Sequence, residues 1–156
     1  MQKNRECAAF STAYVLRHFG YDVDGEALYS HFPSKTKSGN VYPKGIRTVL
    51  KNRGFKTHYY KGNIDTLKYE VSKGIPVIVF IKVRKDQRYL HFVPVVGYDK
   101  NNFYLAESLN EMVNYPDQNN CYNRKIPIQE FKKLWNVKNI YMLLYSNTYI
   151  TVTKKS

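Results

Sequence analysis

The sequence predicts an α+β domain in which a helical N-terminal half packs on an antiparallel sheet formed by the C-terminal half. Apolar residues recur at helical spacing in most segments before residue 74, whereas β-branched and aromatic runs dominate from residue 75 onward. Helices followed by strands are typical of the α+β class. Because the chain contains no linker, repeat or low-complexity segment, we assign residues 1–156 to a single domain.

The N-terminal half is predicted to contain four helices and one strand. The first helix covers residues 7–19 and stops at Gly20; Asn4 is expected to cap it, which places Cys7 in the first turn. The other elements of this half are a short helix over residues 25–31, a helix from Pro43 to residue 53 closed by Gly54, a strand over residues 55–60, and a helix over residues 64–73 ended by Gly74.

The C-terminal half is predicted to be a meander of strands followed by one helix. The β-branched run over residues 75–83 is the strongest strand signal in the chain. In order, the remaining elements are a charged loop over residues 84–88, a strand over residues 90–98, a turn over residues 99–102, a strand over residues 103–107, an irregular polar segment over residues 110–124, a helix over residues 128–135 and a closing strand over residues 140–145.

Composition limits the classes of function. The chain has 25 Lys and Arg against 12 Asp and Glu, a formal net charge of +13, which favours an acidic partner. Zinc-finger spacing, a phosphate-binding loop and an aromatic RNA-binding signature are all lacking, so we expect no specific nucleic acid. We also expect no membrane span, and no metal or cofactor, since His18 and His58 have no acid or cysteine at ligand spacing.

Two distant residues carry the parts of a thiol-dependent hydrolase. Cys7 begins a helix, where the positive end of the helix dipole favours a thiolate, and His91 stands in the apolar strand as a candidate general base. Gln2 and the backbone amide of Cys7 could donate hydrogen bonds to an oxyanion. The alternatives are a cysteine that is a small buried hydrophobe, a histidine satisfied in the core, and a frayed terminal glutamine.

The order of these residues resembles the papain-like peptidases that process bacteriocin leaders and their stand-alone relatives. The resemblance rests on Gln2-x-x-x-x-Cys7, on the strand opening with His91, on the turn Gly97-Tyr-Asp, and on the short strand ending in Glu107. It implies a papain-like fold with a cleft between its halves and an extended peptide as substrate. It also implies that Cys7 is the nucleophile, His91 the base, Gln2 an oxyanion donor and Glu107 the residue that orients His91.

Two departures from the family pattern concern the cysteine and the orienting acid. Ala8 follows the cysteine where glycine is usual, and Glu107-Ser108 stands where aspartate and proline are usual. If Tyr98 pairs with Phe103 across the turn, a regular ladder sets His91 opposite Asn110 rather than Glu107. Pro94 suggests a β-bulge that would change this register, so Asn110 is the second candidate for orienting His91.

The residues and the resemblance together predict a cysteine peptidase, which the resemblance implies is bacterial, with a catalytically silent peptide-binding relative of the same fold as the alternative. Its partner is expected to be a peptide or protein, with an acidic one favoured by the net charge. Cys121, in the polar segment, is expected to be a bystander thiol. A monomer is the expected state, and a cytoplasmic location is slightly favoured over secretion because no targeting signal is present in this chain.

Overall fold

The computed structural model describes residues 4–32, 43–84, 90–115, 122–137 and 146–155. The helices in these ranges are α1 Asn4–His18, α2 Gly25–Tyr29, α3 Pro43–Asn52, α4 Ile64–Val71 and α5 Ile128–Trp135, with a short 3₁₀ helix at Asn110–Met112. The strands are β1 Phe55–Lys61, β2 Val77–Lys82, β3 Leu90–Tyr98, β4 Asn102–Leu105, β5 Arg124–Pro127 and β6 Thr148–Lys154.

The six strands form one antiparallel sheet in the order β1-β6-β2-β3-β4-β5. The last strand in sequence lies between β1 and β2, so the sheet joins the two halves of the chain. The β2–β3 pair lies at its centre, and β2 is buried along nearly its whole length. A strand that is apolar on both faces requires cover on both faces, and the helices supply it.

Each face of the sheet supports its own apolar core. Helices α1, α2 and α3 cover one face, where Ile78, Phe80 and Phe92 point toward them. Helices α4 and α5 cover the other face, which receives Val79 and Ile81. Because successive side chains of a strand point to opposite faces, β2 contributes alternately to both cores.

The α+β class predicted from the sequence is confirmed, and β3 and α5 have the predicted bounds. Strand β5 was not predicted. Its alternation of buried Arg124 and Ile126 with exposed Lys125 and Pro127 is too polar to read as a strand. Strand β6 was also missed, although its β-branched run is a strand signal. The closing strand expected over residues 140–145 lies outside the described residues.

A β-bulge interrupts the β3–β4 pairing two residues after Pro94. Tyr98 pairs with Phe103, as the sequence predicted, but Val95 pairs with Leu105, so Val96 is the extra residue. The ladder ends with a hydrogen bond from the Ala106 amide to the Pro94 carbonyl, 3.0 Å long. Beyond this point the chain leaves the sheet, and the following residues, 107–109, approach the N-terminal end of α1.

Candidate active site

Cys7 is the fourth described residue of α1 and lies near the start of this helix, whereas Asn4, which was expected to cap the helix, lies within it. Its side chain is 1% exposed and forms a small apolar cluster with Val83 and Leu109, against which Met112 packs. Leu109 belongs to the segment that follows β4, and Val83 follows β2. Three parts of the chain that are distant in sequence therefore enclose the sulfur.

His91 lies near the start of β3, paired with Ile81 of β2, and is 1% exposed. Its Nε2 atom lies 3.1 Å from Oε1 of Glu107. Within the described ranges its Nδ1 atom is buried and has no hydrogen-bond partner. One ring nitrogen is thus held by a carboxylate while the other is available to a reacting group.

Glu107 is surrounded by hydrogen-bond donors. Its Oε1 atom accepts from His91 and from Nη1 of Arg124, the latter at 2.6 Å, while Oε2 accepts from the backbone amides of Ser108 at 3.0 Å and Leu109 at 3.3 Å. Burial raises the pKa of the Glu107 carboxyl, but the hydrogen bond and charge of His91, the charge of Arg124 and the amide of Leu109 together lower it to about 2. Glu107 is therefore a carboxylate at neutral pH.

The contact between Glu107 and His91 depends on the end of the β3–β4 ladder. Because Val96 is a bulge and the ladder ends at Ala106, strand register no longer determines which residue faces His91. The long glutamate side chain reaches back to the imidazole. Asn110, the second candidate for orienting His91, instead lies exposed in the 3₁₀ helix.

Two neighbours of Glu107 were not identified from the sequence. Asn123 holds the Glu107 backbone at both ends, since its Oδ1 accepts from the Glu107 amide at 2.7 Å and its Nδ2 donates to the Glu107 carbonyl at 2.9 Å. Arg124, the next residue, is 5% exposed and forms the ion pair described above. In the sheet Arg124 pairs with Leu105, two residues before Glu107, and the signal that could have drawn attention to it is a strand over residues 124–127.

Ser108 contacts the thiol of Cys7. Burial raises the pKa of Cys7, the hydrogen bond from the Ser108 side chain lowers it, and the charges of Glu107 and Glu6 raise it again, to about 12. The expectation of a lowered thiol pKa is therefore wrong for this structure. Desolvation of the buried sulfur and two nearby carboxylates outweigh the favourable position at the helix start.

Gln2 and Cys121 lie outside the described residues. Among the residues that are described, no group of three or more His, Cys, Asp or Glu side chains could hold a metal ion. In the same ranges none of the helices combines the length and apolar character needed to cross a membrane.

Comparisons with known proteins identify a family and a shared fold. The model of the Peptidase C39 family matches residues 1–148. The peptidase domain of Streptococcus ComA, a bifunctional ABC transporter of a quorum-sensing pathway, has a similar fold with a TM-score of 0.69, 21% identity, and coverage of 99% of this chain and 96% of that one. A putative C39-like peptidase from Bacillus anthracis gives 0.71 and 18%, covering 100% and 92% of the two chains.

A third similar structure is a double-glycine-motif protease from an AMS/PCAT transporter, solved in complex with its leader peptide. It has a TM-score of 0.68 and 18% identity, with coverage of 99% of this chain and 89% of that chain. At these identities the structures show a shared fold. No curated protein sequence matches the chain significantly.

Proposed function

The chain belongs to the Peptidase C39 family, and from this premise we propose that it is a cysteine peptidase that hydrolyses peptide bonds through Cys7, His91 and Glu107. The observation that carries the proposal is the state of the His91 ring. Its Nε2 atom is held by the Glu107 carboxylate and its buried Nδ1 atom has no partner within the described ranges. A carboxylate accepts hydrogen bonds only, so Nε2 carries a proton, and in the neutral ring Nδ1 is then the nitrogen with the lone pair.

The proposed reaction begins with transfer of the Cys7 proton to Nδ1 of His91. The thiolate attacks the carbonyl carbon of the scissile bond, and the negative charge moves to the carbonyl oxygen. The backbone amide of Cys7 and the side chain of Gln2 are the proposed donors to that oxygen, each worth about 3 kcal/mol in such sites. Collapse breaks the C–N bond as His91 returns the proton to the leaving amine, which leaves an acyl-enzyme thioester.

Water completes the cycle. His91 takes a proton from water while the hydroxide attacks the thioester carbon, and the thiolate departs with the electrons of the C–S bond. The product carboxylic acid is released and the proton on His91 returns to Cys7. Glu107 stabilises the imidazolium in both halves of the cycle without taking up a proton, which its lowered pKa supports.

The raised pKa of Cys7 is compatible with this reaction, because that pKa refers to a thiolate formed without a positively charged partner. Burial penalises an isolated charge far more than a pair of opposite charges formed together. Proton transfer from Cys7 to His91 creates such a pair. We therefore propose that the thiolate of this enzyme exists only beside an imidazolium and that ionisation is completed as substrate binds.

We further propose that the substrate is a peptide with acidic side chains. The similar protease of the AMS/PCAT transporter was solved with a leader peptide. A cavity of about 390 Å³ between α3 and β1 is lined by five cationic residues and no acidic one: Lys44, Arg47, Lys51, Lys56 and Lys155. Such a lining attracts carboxylates.

This cavity lies near the end of α1 that is farther from Cys7. Phe55 lines the cavity and packs on Phe19, with ring centroids 5.0 Å apart, at the far end of α1 from Cys7. Twelve helical residues span about 18 Å, a distance that an extended peptide covers in about six residues. A peptide with its scissile bond at Cys7 would therefore place acidic side chains about six residues away in the cationic cavity.

The peptidase proposal is tested by incubating the protein with a defined mixture of synthetic peptides and identifying new termini by mass spectrometry. The wild-type protein and Cys121→Ala should cleave the same peptides, whereas Cys7→Ala and His91→Ala should lose at least a hundredfold in rate. Peptides with acidic residues about six positions from the cut should have a lower KM, and salt should remove this advantage. Equal cleavage by Cys7→Ala would refute the assignment.

A second candidate function is peptide binding without cleavage. It is favoured by the burial of Cys7, which is 1% exposed, and by its raised pKa. In that case the wild type, Cys7→Ala and Cys121→Ala would bind acidic peptides with equal affinity and none of them would produce new termini. Calorimetric titration with an uncleaved acidic peptide measures the affinity.

A further inference from the structure

The acid that contacts His91 shares one oxygen atom with an arginine. Oε1 of Glu107 accepts both from Nε2 of His91, at 3.1 Å, and from Nη1 of Arg124, at 2.6 Å. The arginine side chain is 5% exposed and the glutamate side chain 0%, so solvent screens neither charge. The pair therefore lies in direct contact with the imidazole that the proposed reaction uses.

Counting the charges in this cluster indicates what Arg124 does. With neutral His91 and a thiol at Cys7, the charges of Glu107 and Arg124 cancel. Moving the Cys7 proton to His91 creates one negative and one positive charge, and the cluster stays neutral. Without Arg124, the same site would carry a net negative charge, which opposes a thiolate and favours a protonated imidazole from the start.

Other charged groups at the site strengthen this argument. In the described ranges the carboxylates acting on Cys7 are Glu107 and Glu6, and both raise its pKa. In these ranges Glu107 pairs with His91 and with Arg124, and Arg124 is the partner that always carries a positive charge. Asn123 binds the Glu107 backbone, so Glu107 is held both at its main chain and at its carboxylate.

We propose that Arg124 is a positioning residue that holds the Glu107 carboxylate on His91 and balances its charge, and thereby sets the pH range in which Cys7 and His91 exchange a proton. This proposal rests on the proposed function, since it assigns a role within the same site. It also accounts for glutamate at this position. The longer side chain reaches both His91 and a guanidinium on β5, which lies beside β4 in the sheet.

The test compares the pH midpoint of Cys7 alkylation by iodoacetamide, read by peptide mass spectrometry, in the wild type and four variants. Arg124→Gln should move the midpoint to higher pH by about one unit or more, because a thiolate loses a compensating positive charge. Glu107→Gln should move it to lower pH, and the double variant should lie near wild type. Lys125→Gln is the matched control, since it removes a positive charge from an exposed neighbour on β5 and should leave the midpoint unchanged.

A second measurement covers variants that fold poorly or a thiol that iodoacetamide does not reach. The pH midpoint of the His91 ring signals in NMR spectra should shift in the same directions. Comparing Glu107→Gln with the double variant measures the effect of Arg124 even if Arg124→Gln alone does not fold. Arg124→Lys, which keeps the charge, should restore the wild-type midpoints. Midpoints in Arg124→Gln equal to wild type, or no difference between Glu107→Gln and the double variant, would overturn the proposal.

These outcomes are independent of peptide cleavage. A protein that cleaves no peptide but shows the predicted shifts would refute the peptidase function and retain the role of Arg124. A protein that cleaves peptides through Cys7 but shows unshifted midpoints would support the peptidase function and refute the role of Arg124.

Discussion

Replacing Glu107 by glutamine is expected to remove one acid-dependent part of the stability of the fold. The Glu107 pKa is lowered from 4.5 to about 2 in the folded protein, although burial alone would raise it. A carboxyl whose folded pKa is depressed stabilises the native state above its unfolded pKa. That contribution is lost as the pH falls toward its folded pKa. The relevant window is therefore pH 4.5 down to about 2.

The magnitude follows from the size of this shift. Each unit of pKa difference corresponds to about 1.4 kcal/mol, so the lowering of the Glu107 pKa represents about 3 kcal/mol. Because the carboxylate is buried, little of this is lost to solvent screening. The neutral amide of the variant does not titrate in this range. The free energy of unfolding of the wild type should therefore fall by about 3 kcal/mol more than that of Glu107→Gln between pH 4.5 and about 2.

Urea denaturation followed by circular dichroism at closely spaced pH values between 5 and 2 measures this difference. The difference in free energy of unfolding between the two proteins at pH 7 does not test the prediction. It also includes the cost of leaving Arg124 without its partner in the variant. Glu111→Gln, which alters an exposed carboxylate in the 3₁₀ helix, is the control and should follow the wild type. A gap between wild type and Glu107→Gln that stays constant from pH 4.5 to 2 would refute the ion-pair reasoning.

Three further substitutions test other parts of the structure. Ser108→Ala should move Cys7 alkylation to higher pH, because the hydroxyl contact that lowers the thiol pKa is lost, and Ser108→Thr should not; equal midpoints would contradict this. Phe92→Ala, which removes a ring stacked on Phe80 at 4.5 Å, should cost about 3–5 kcal/mol in urea denaturation, whereas Tyr69→Ala, at a 64% exposed site, should be nearly neutral. Asn63→Ala removes the capping box of α4 and should cost about 1 kcal/mol, with Asn63→Ser restoring it.

Local sequence signals were sufficient for most of the fold. The β-branched run of β2, the apolar run of β3 and the helical spacing in α1 predicted elements that the structure contains. These segments are apolar, and their periodicity follows from which face each residue buries. Strand β5 escaped prediction because its buried positions include Arg124, a charged residue that is buried in an ion pair with Glu107.

The candidate site was only partly predictable. Cys7 and His91 were identified from local features, a cysteine at a helix start and a histidine in an apolar strand, and from the family resemblance, which also indicated Glu107. The other residues around them were not identified, since Ser108, Asn123 and Arg124 are polar residues in segments without periodicity. Their contacts depend on where β4 ends and on which strand lies beside it.

The sequence by itself determined the α+β class, the position of Cys7 near the start of α1 and the place of His91 on β3, because each depends on local propensity and burial. Tertiary structure decided that Glu107 rather than Asn110 faces His91, since the bulge at Val96 and the end of the ladder break the register that counting assumes. It also decided the protonation of the site. Burial, and not the helix start, dominates the Cys7 pKa, and His91 together with a guanidinium from β5 lowers the pKa of Glu107. Charge interactions in a buried site depend on distances between segments, and the linear order of residues does not contain them.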